Sequence, residues 1–199
     1  MSRGKLAAAT VLAAALFAPG GAGAAGDAAH GKALATERDC GQCHGPQGIS
    51  VMPDIPSLAG HPEEFITLQL ILFREGIRDT PPMPALTQGL TDQQVEDLAA
   101  FYASLPPGHA ERGPRDAARY AAGAALAERL RCGTCHLPQF QGRAQMPRLT
   151  GQREDYLVHA LTEYRDGTRR GTDTNMNAVM YGVSDTEIAA LAHFMAQQE

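Results

Sequence analysis

The four cysteines of this 199-residue chain fall in two short runs, and a histidine directly follows each run. The runs are Cys40-Gly-Gln-Cys43-His44 and Cys132-Gly-Thr-Cys135-His136. This spacing is typical of c-type heme attachment, because the two thiols add across the vinyl groups on one edge of a porphyrin and the next residue reaches the iron. The sequence therefore predicts two covalently attached heme c groups, with His44 and His136 as axial ligands.

Three other uses of paired cysteines remain open from the residues alone. Two Cys-x-x-Cys pairs could hold a structural zinc ion, although 88 residues separate them and zinc gives no reason for the histidines. A thioredoxin-like redox disulfide requires a strand–helix context that this sequence does not suggest. Structural disulfides across each pair would suit an exported protein.

The two cysteine runs belong to an internal repeat. Gly31 and Gly123 each lie nine residues before the first cysteine of a run, and equivalent motifs recur at offsets of 91 to 93 residues. A single repetition predicts a duplicated domain rather than a solenoid, which needs several copies. We place the domains at 25–105 and 117–199, with the segment 106–116, rich in proline, glycine and charge, as a linker.

The repeat also selects candidates for the sixth iron ligand. Met83 and Met176 each lie eight residues before an equivalent helix start, and His/Met pairs are known axial ligands of c-type hemes. Met180 is the main rival in the second domain, although it aligns with a threonine. The other candidates are less regular, since they lack an equivalent ligand in the other half: Met52, His61, Met146, His159 and His193.

Prolines after each run are candidates for holding the ligand histidines. A ligating histidine needs an acceptor for its other ring N–H. Pro56 lies 12 residues after His44, and Pro147 lies 11 residues after His136, so either carbonyl oxygen could serve. The alternative is that both are ordinary turn prolines.

The elements that must position these residues read as helices joined by long loops. Apolar periodicity predicts helices over 28–39, 62–75, 117–131 and 153–166. Two more helices begin at the caps Thr91 and Ser184, the second with capping-box spacing. The long loops cover 45–58 and 137–149, and no alternating strand pattern stands out. Eighty residues with few aromatics make a thin core, which a porphyrin would complete.

The first 24 residues read as a secretory signal peptide. Arg3 and Lys5 precede the apolar stretch 6–18, and small residues follow at 22–24. An uncleaved anchor is the alternative, although 13 apolar residues are short for a membrane span. We therefore expect an exported, periplasmic protein.

Charge separates the two halves. The whole chain has a formal net charge of −5 and a pI of about 5.8, which disfavours nucleic-acid binding. Residues 25–105 carry 11 acids against 4 bases, a net −7, whereas 106–199 carry 11 of each. Such a dipole would orient the first domain toward a cationic partner surface. The alternative is neutral drift on a solvated surface.

At this point the chain resembles the class I cytochromes c, and among them the dihaem cytochrome c4 family. The resemblance spans nearly the whole mature chain and adds to the heme runs several motifs: Pro56-Ser-Leu-Ala-Gly60, Leu90-Thr-Asp, Leu98-Ala-Ala-Phe-Tyr102, Pro147-Arg-Leu-Thr-Gly151 and Glu163-Tyr-Arg-Asp-Gly167. It implies two tandem all-α domains, each wrapped around a heme c with a methionine as sixth ligand and a proline carbonyl on the ligand histidine. It also implies a periplasmic carrier that often delivers electrons to a terminal oxidase.

Iron bound by His on one side and Met on the other has no open position for a substrate. The sequence therefore predicts an electron carrier, not an enzyme, that holds one electron per heme and exchanges them with a respiratory donor and acceptor. Two alternatives remain: the cytochrome subunit of a periplasmic dehydrogenase, such as a flavocytochrome sulfide dehydrogenase, and a dihaem peroxidase or thiosulfate oxidoreductase. We expect a monomer, either free or resting at the membrane surface.

Overall fold

The computed structural model describes Met1, residues 25–171 and residues 174–198, and within these residues it is helical. The helices are α1 (Ala28–Glu37), α2 (Gly41–His44), α3 (Glu63–Arg74), α4 (Met83–Thr87), α5 (Asp92–Ser104), α6 (Ala117–Arg129), α7 (Gly133–His136), α8 (Glu154–Arg165), α9 (Thr174–Met180) and α10 (Asp185–Ala196). No strand forms in this described part, where an isolated bridge joins Arg143 and Met146. The predicted all-α fold is confirmed.

Local sequence explains where the longer helices begin and end. Helices α3 and α8 each carry two acids in the first turn and an arginine in the last, which suits the helix dipole. Glycines with positive φ, Gly76 and Gly167, follow their ends. Helices α5 and α10 both begin with complete capping boxes, formed by Thr91 with Gln94 and by Ser184 with Glu187.

Each half of the chain has its own core, centred on its last helix. In the first half α5 packs against α1 and α3, and in the second half α10 packs against α6 and α8. Val95, Leu98 and Ala99 are almost fully buried on α5, as are Ile188 and Leu191 on α10. These apolar faces fix the frame from which the heme-binding loops extend.

Glycine is required where the first and last helices of each half cross. A Cβ on Gly31 would lie 1.9 Å from the backbone oxygen of Asp97, and a Cβ on Gly123 would lie 2.1 Å from that of Ala190. Both obstacles are backbone atoms, so the helices themselves would have to separate. This contact explains why the repeat keeps glycine nine residues before each cysteine run.

We expect Gly31→Ala and Gly123→Ala each to lower the free energy of unfolding by about 2 kcal/mol. Overpacking costs roughly 1–3 kcal/mol or more and exceeds the gain of about 1 kcal/mol in helix propensity. Urea unfolding of the heme-loaded protein measures the change. Gly113→Ala is the control, because nothing lies within 4 Å of its Cβ position. Unchanged midpoints for all three variants would contradict the close crossing.

The predicted signal peptide, 1–24, lies outside the described residues except for Met1. Among the described residues, no helix is both long enough and apolar enough to cross a membrane.

The predicted linker, 106–116, packs against the second half of the chain. The Ala110 N–H donates to the Gly151 oxygen at 2.9 Å, and Arg112 donates to the Ala196 oxygen at 3.1 Å.

Candidate heme sites

Each cysteine run folds into a single helical turn that ends at its histidine. Helix α2 begins just after Cys40, and the His44 N–H donates to the Cys40 oxygen at 3.0 Å. Helix α7 repeats this geometry, with the His136 N–H 3.1 Å from the Cys132 oxygen. A turn of helix places side chains three and four residues apart on one face. The turn therefore presents both thiols and the imidazole together.

The two candidate ligand histidines are buried and held in one tautomer. His44 donates from Nδ1 to the Pro56 carbonyl oxygen at 2.8 Å, and His136 donates to the Pro147 oxygen at 2.9 Å. A carbonyl oxygen only accepts, so each Nδ1 carries the proton and each Nε2 keeps a lone pair that could bind iron. Burial lowers the pKa of both histidines, which favours the neutral form that binds iron.

The cysteines fit thioether attachment better than the other uses. Burial raises the pKa of the Cys40 and Cys132 thiols. The described part of the chain contains no group of three or more histidine, cysteine or acidic side chains placed to hold a metal ion. This arrangement does not support the zinc alternative, which needs four such ligands. Two cysteines beside a buried, neutral imidazole are the donor set that a heme c group uses.

The candidate methionines occupy equivalent helices in the two halves. Met83 is the first residue of α4, and Met176 lies in α9; both are partly buried. Met180 is only 1% exposed and is part of the second core cluster. Thr87, the residue equivalent to Met180, is also buried, so this position belongs to the core in both halves.

The remaining candidates for the sixth iron ligand lie in environments that differ from those of Met83 and Met176. Met52 is 40% exposed, and Met146 pairs with Arg143 in the isolated bridge. His159 lies beside Glu163 on the surface of α8. His193 is buried, but both of its ring nitrogens are engaged: Nε2 accepts from the Asp116 N–H at 3.0 Å, and Nδ1 lies 2.9 Å from a Glu154 carboxylate oxygen.

His61 has a place that the sequence did not suggest. It lies buried between the two halves, where its Nδ1 accepts a hydrogen bond from the Arg148 N–H at 3.2 Å. Burial lowers its pKa to about 4; a hydrogen bond to the Ser57 backbone opposes this change, and the charge of Arg148 adds to it. The equivalent residue, Gln152, is buried at the same interface. The sequence signal that could have indicated this shared position was the alignment of His61 with Gln152 in the repeat.

The low pKa of His61 predicts a loss of stability in acid. The unfolded chain binds a proton near the ordinary pKa of 6.5 and the folded chain only near 4, so stability is complete above pH 6.5 and falls as the pH drops toward 4. At pH 4.5 we expect this group to remove on the order of 2 kcal/mol. Thermal unfolding at pH 7 and 4.5 measures it. His61→Gln should lose less stability than the parent over this interval, and equal losses would contradict the assignment.

Comparisons with known proteins point to one family. The cytochrome c family model matches the chain twice, over residues 28–106 and 120–199. Cytochrome c4 of Pseudomonas aeruginosa is 36% identical over 180 residues, which are 86% of this chain and 89% of that protein. A thiosulfate dehydrogenase electron acceptor from Stutzerimonas stutzeri is 33% identical over 168 residues, covering 79% and 77% of the two chains.

A solved structure supports the same relationship. Reduced recombinant cytochrome c4 from Pseudomonas stutzeri superposes with a TM-score of 0.79 at 31% identity, over 88% of this chain and all of that one. The match covers both halves, so it includes the duplication as well as the single-domain fold. The chain therefore belongs to the dihaem cytochrome c4 family, whose members carry two covalently bound heme c groups and act as electron carriers rather than enzymes.

Proposed function

We propose that this chain carries electrons in the periplasm, one per heme, between a respiratory donor and an acceptor such as a terminal oxidase. Cys40 and Cys43 bind the first heme, and Cys132 and Cys135 bind the second. The axial ligand pairs are His44 with Met83 and His136 with Met176. Residues 25–105 and 117–199 form the two heme domains, 106–116 connect them, and the leader 1–24 is removed on export.

The observation that carries this proposal is the repetition of one complete ligand geometry. In both halves a buried histidine donates Nδ1–H to a proline carbonyl, at 2.8 and 2.9 Å, and a partly buried methionine precedes a capping box by eight residues. An enzyme needs at least one iron with an exchangeable ligand. Two equivalent His/Met sites instead favour a carrier over a peroxidase or thiosulfate oxidoreductase.

The protein residues keep the sites fixed during electron transfer. Each bound heme supplies a one-electron ferric/ferrous couple, whose potential the thioether ligand and apolar surroundings raise. The proline carbonyls hold His44 and His136 in one orientation, and the capping boxes of α5 and α10 anchor the ends of the methionine segments. Ligands held in this way would move little when the oxidation state changes, which would favour fast transfer in both directions.

Charge and relatives together suggest how partners are recognised. The first domain carries a net −7 and the second is neutral, so we propose that the first domain docks a cationic surface. A relative is named as the electron acceptor of a thiosulfate dehydrogenase, which makes such a dehydrogenase a second candidate donor. A permanent dehydrogenase subunit, such as that of a flavocytochrome, is the remaining alternative.

Stopped-flow mixing tests the function with the purified heme-loaded protein. We expect reduction by a quinol-oxidising complex or by thiosulfate dehydrogenase with thiosulfate, and reoxidation by membranes that contain a terminal oxidase. The rate with at least one partner should fall as salt increases, because screening weakens steering. Salt-independent rates with every partner would contradict the docking proposal. Thiosulfate oxidation by the protein alone, or copurification with a catalytic chain, would overturn the carrier proposal.

A further inference from the structure

One peptide group joins the second heme site to the first half of the chain. The carbonyl oxygen of Pro147 accepts the hydrogen bond from His136 Nδ1 at 2.9 Å. The N–H of the same peptide group belongs to Arg148, and it donates to His61 Nδ1 at 3.2 Å. The candidate ligand histidine of the second domain is thus one peptide group away from a buried imidazole of the first domain.

The first heme site has the mirrored arrangement. The Pro56 carbonyl oxygen accepts from His44 Nδ1 at 2.8 Å, and the N–H of that peptide group, which belongs to Ser57, donates to Gln152 Oε1 at 2.8 Å. The Gln152 amide nitrogen also donates to the Ser57 carbonyl oxygen at 2.9 Å. Gln152 of the second domain therefore forms hydrogen bonds with both the N–H and the carbonyl oxygen of Ser57.

The two connections are equivalent in the repeat, and each runs from a side chain of one domain to the candidate ligand histidine of the other. Residues 56, 57 and 61 correspond to 147, 148 and 152 at a constant offset of 91. Ser57, His61 and Gln152 are each no more than 6% exposed, so water does not compete for these hydrogen bonds. Hydrogen bonds in such surroundings are strong and polarise one another.

We propose that His61 and Gln152 are crossed positioning residues, each of which sets the strength of the hydrogen bond on the axial histidine of the opposite domain. The reduction potential of each heme then depends on a side chain from across the interface. The inference rests on the proposed function, because His44 and His136 are iron ligands only in that proposal.

The physical link is the polarisation of the shared peptide group. An acceptor on its N–H draws the proton and leaves more negative charge on its carbonyl oxygen. That oxygen then pulls harder on the Nδ1 proton of the axial histidine, which becomes more electron-rich and favours ferric iron. Removing the acceptor should therefore raise the potential of the opposite heme.

The two connections differ in acceptor, which makes the hemes inequivalent. His61 offers a ring nitrogen to the Arg148 N–H. Gln152 offers an amide oxygen that it shares between the N–H groups of Ser57 and Arg153 at 2.8 and 2.9 Å. A divided acceptor polarises each donor less. The interface therefore gives the two equivalent heme sites different hydrogen-bond acceptors.

Potentials of the two hemes in four variants of the heme-loaded protein test the proposal. His61→Leu and Gln152→Leu remove one acceptor each, and His61→Gln restores an acceptor by copying the equivalent position. Ile77→Ala is the control, because Ile77 lies across the interface near Gly171 but outside both connections. Spectroelectrochemistry gives the potentials, and NMR of the heme methyl groups assigns each to its domain.

We expect each substitution to change mainly the reduction potential of the heme in the opposite domain. His61→Leu should favour reduction of the second heme by about threefold, which is about 28 mV at about 59 mV per tenfold for one electron, and shift the first heme by less, because His61 also contacts Ser57 and Gln152. Gln152→Leu should shift mainly the first heme, in the same direction but by less than threefold, because Gln152 divides its oxygen between two donors. His61→Gln should return the second heme close to the parent value, and Ile77→Ala should move neither.

Two results would overturn the proposal: a shift confined to the heme of the mutated domain, or equal shifts in both hemes for every variant, including Ile77→Ala. The methionine–iron absorption band in the same samples keeps the test separate from the proposed function. If that band is present and the shifts are not crossed, only the interdomain connection fails. If the band is absent from the parent protein, the proposed ligation fails instead.

Discussion

Met176→Ala is expected to leave the second heme iron without its sixth ligand while the first heme stays low-spin. The long-wavelength methionine–iron band of the oxidised protein should fall to about half, since one of two His/Met sites is lost. A high-spin signal should replace it, and the potential of the second heme should drop sharply because thioether ligation raises it. Absorption and EPR spectra of the oxidised variant measure both changes.

Met180→Leu is the matched control for that experiment. Met180 is 1% exposed within the second core, and leucine has a similar volume, so we expect a stability cost below about 1.5 kcal/mol and an unchanged spectrum. If Met180→Leu loses the band and Met176→Ala keeps it, the sixth ligand of the second heme is Met180. The ligand assignment derived from the repeat would then be wrong.

The double change Cys132→Ser with Cys135→Ser should have the largest effect on folding. We expect one heme per chain and a second domain close to its unfolding midpoint at room temperature. The reason is size: a core of about 80 residues rarely supplies more than roughly 3–5 kcal/mol without a staple or cofactor. Heme content by pyridine hemochromogen assay, the mass of the protein and thermal unfolding measure these outcomes.

The corresponding double change in the first domain, Cys40→Ser with Cys43→Ser, provides the comparison. It should also leave one heme and destabilise the first domain instead. If either double variant kept two covalent hemes, the assignment of the cysteines would be wrong. If the second domain stayed equally stable without its heme, its apolar core alone would be sufficient.

The main helices could be predicted from the sequence because their signals are local. Acids and an arginine at opposite ends, a following glycine and a capping box define α3, α5, α8 and α10 without reference to the rest of the chain. The short helices α2, α4, α7 and α9 were not predicted as helices. They have between four and seven residues, too few for a periodic pattern, and tertiary contacts stabilise them.

The contacts between the two halves could not be predicted from the sequence. The repeat shows that His61 and Gln152 are equivalent, but it does not show that the two halves face each other there. The same limit applies to Gly31: its repetition was visible, whereas its reason is the approach of the Asp97 backbone. Composition predicted the linker 106–116, but not that Ala110 packs against the second half.

The absorption spectrum of the purified, oxidised protein tests the central claim most directly, because it reports the ligands of both irons at once. Two His/Met hemes predict entirely low-spin iron, a methionine–iron band at the intensity of two hemes, and no change when hydrogen peroxide is added. A high-spin fraction that binds peroxide would contradict the account, since one iron would then have an open position and the protein would be equipped for catalysis.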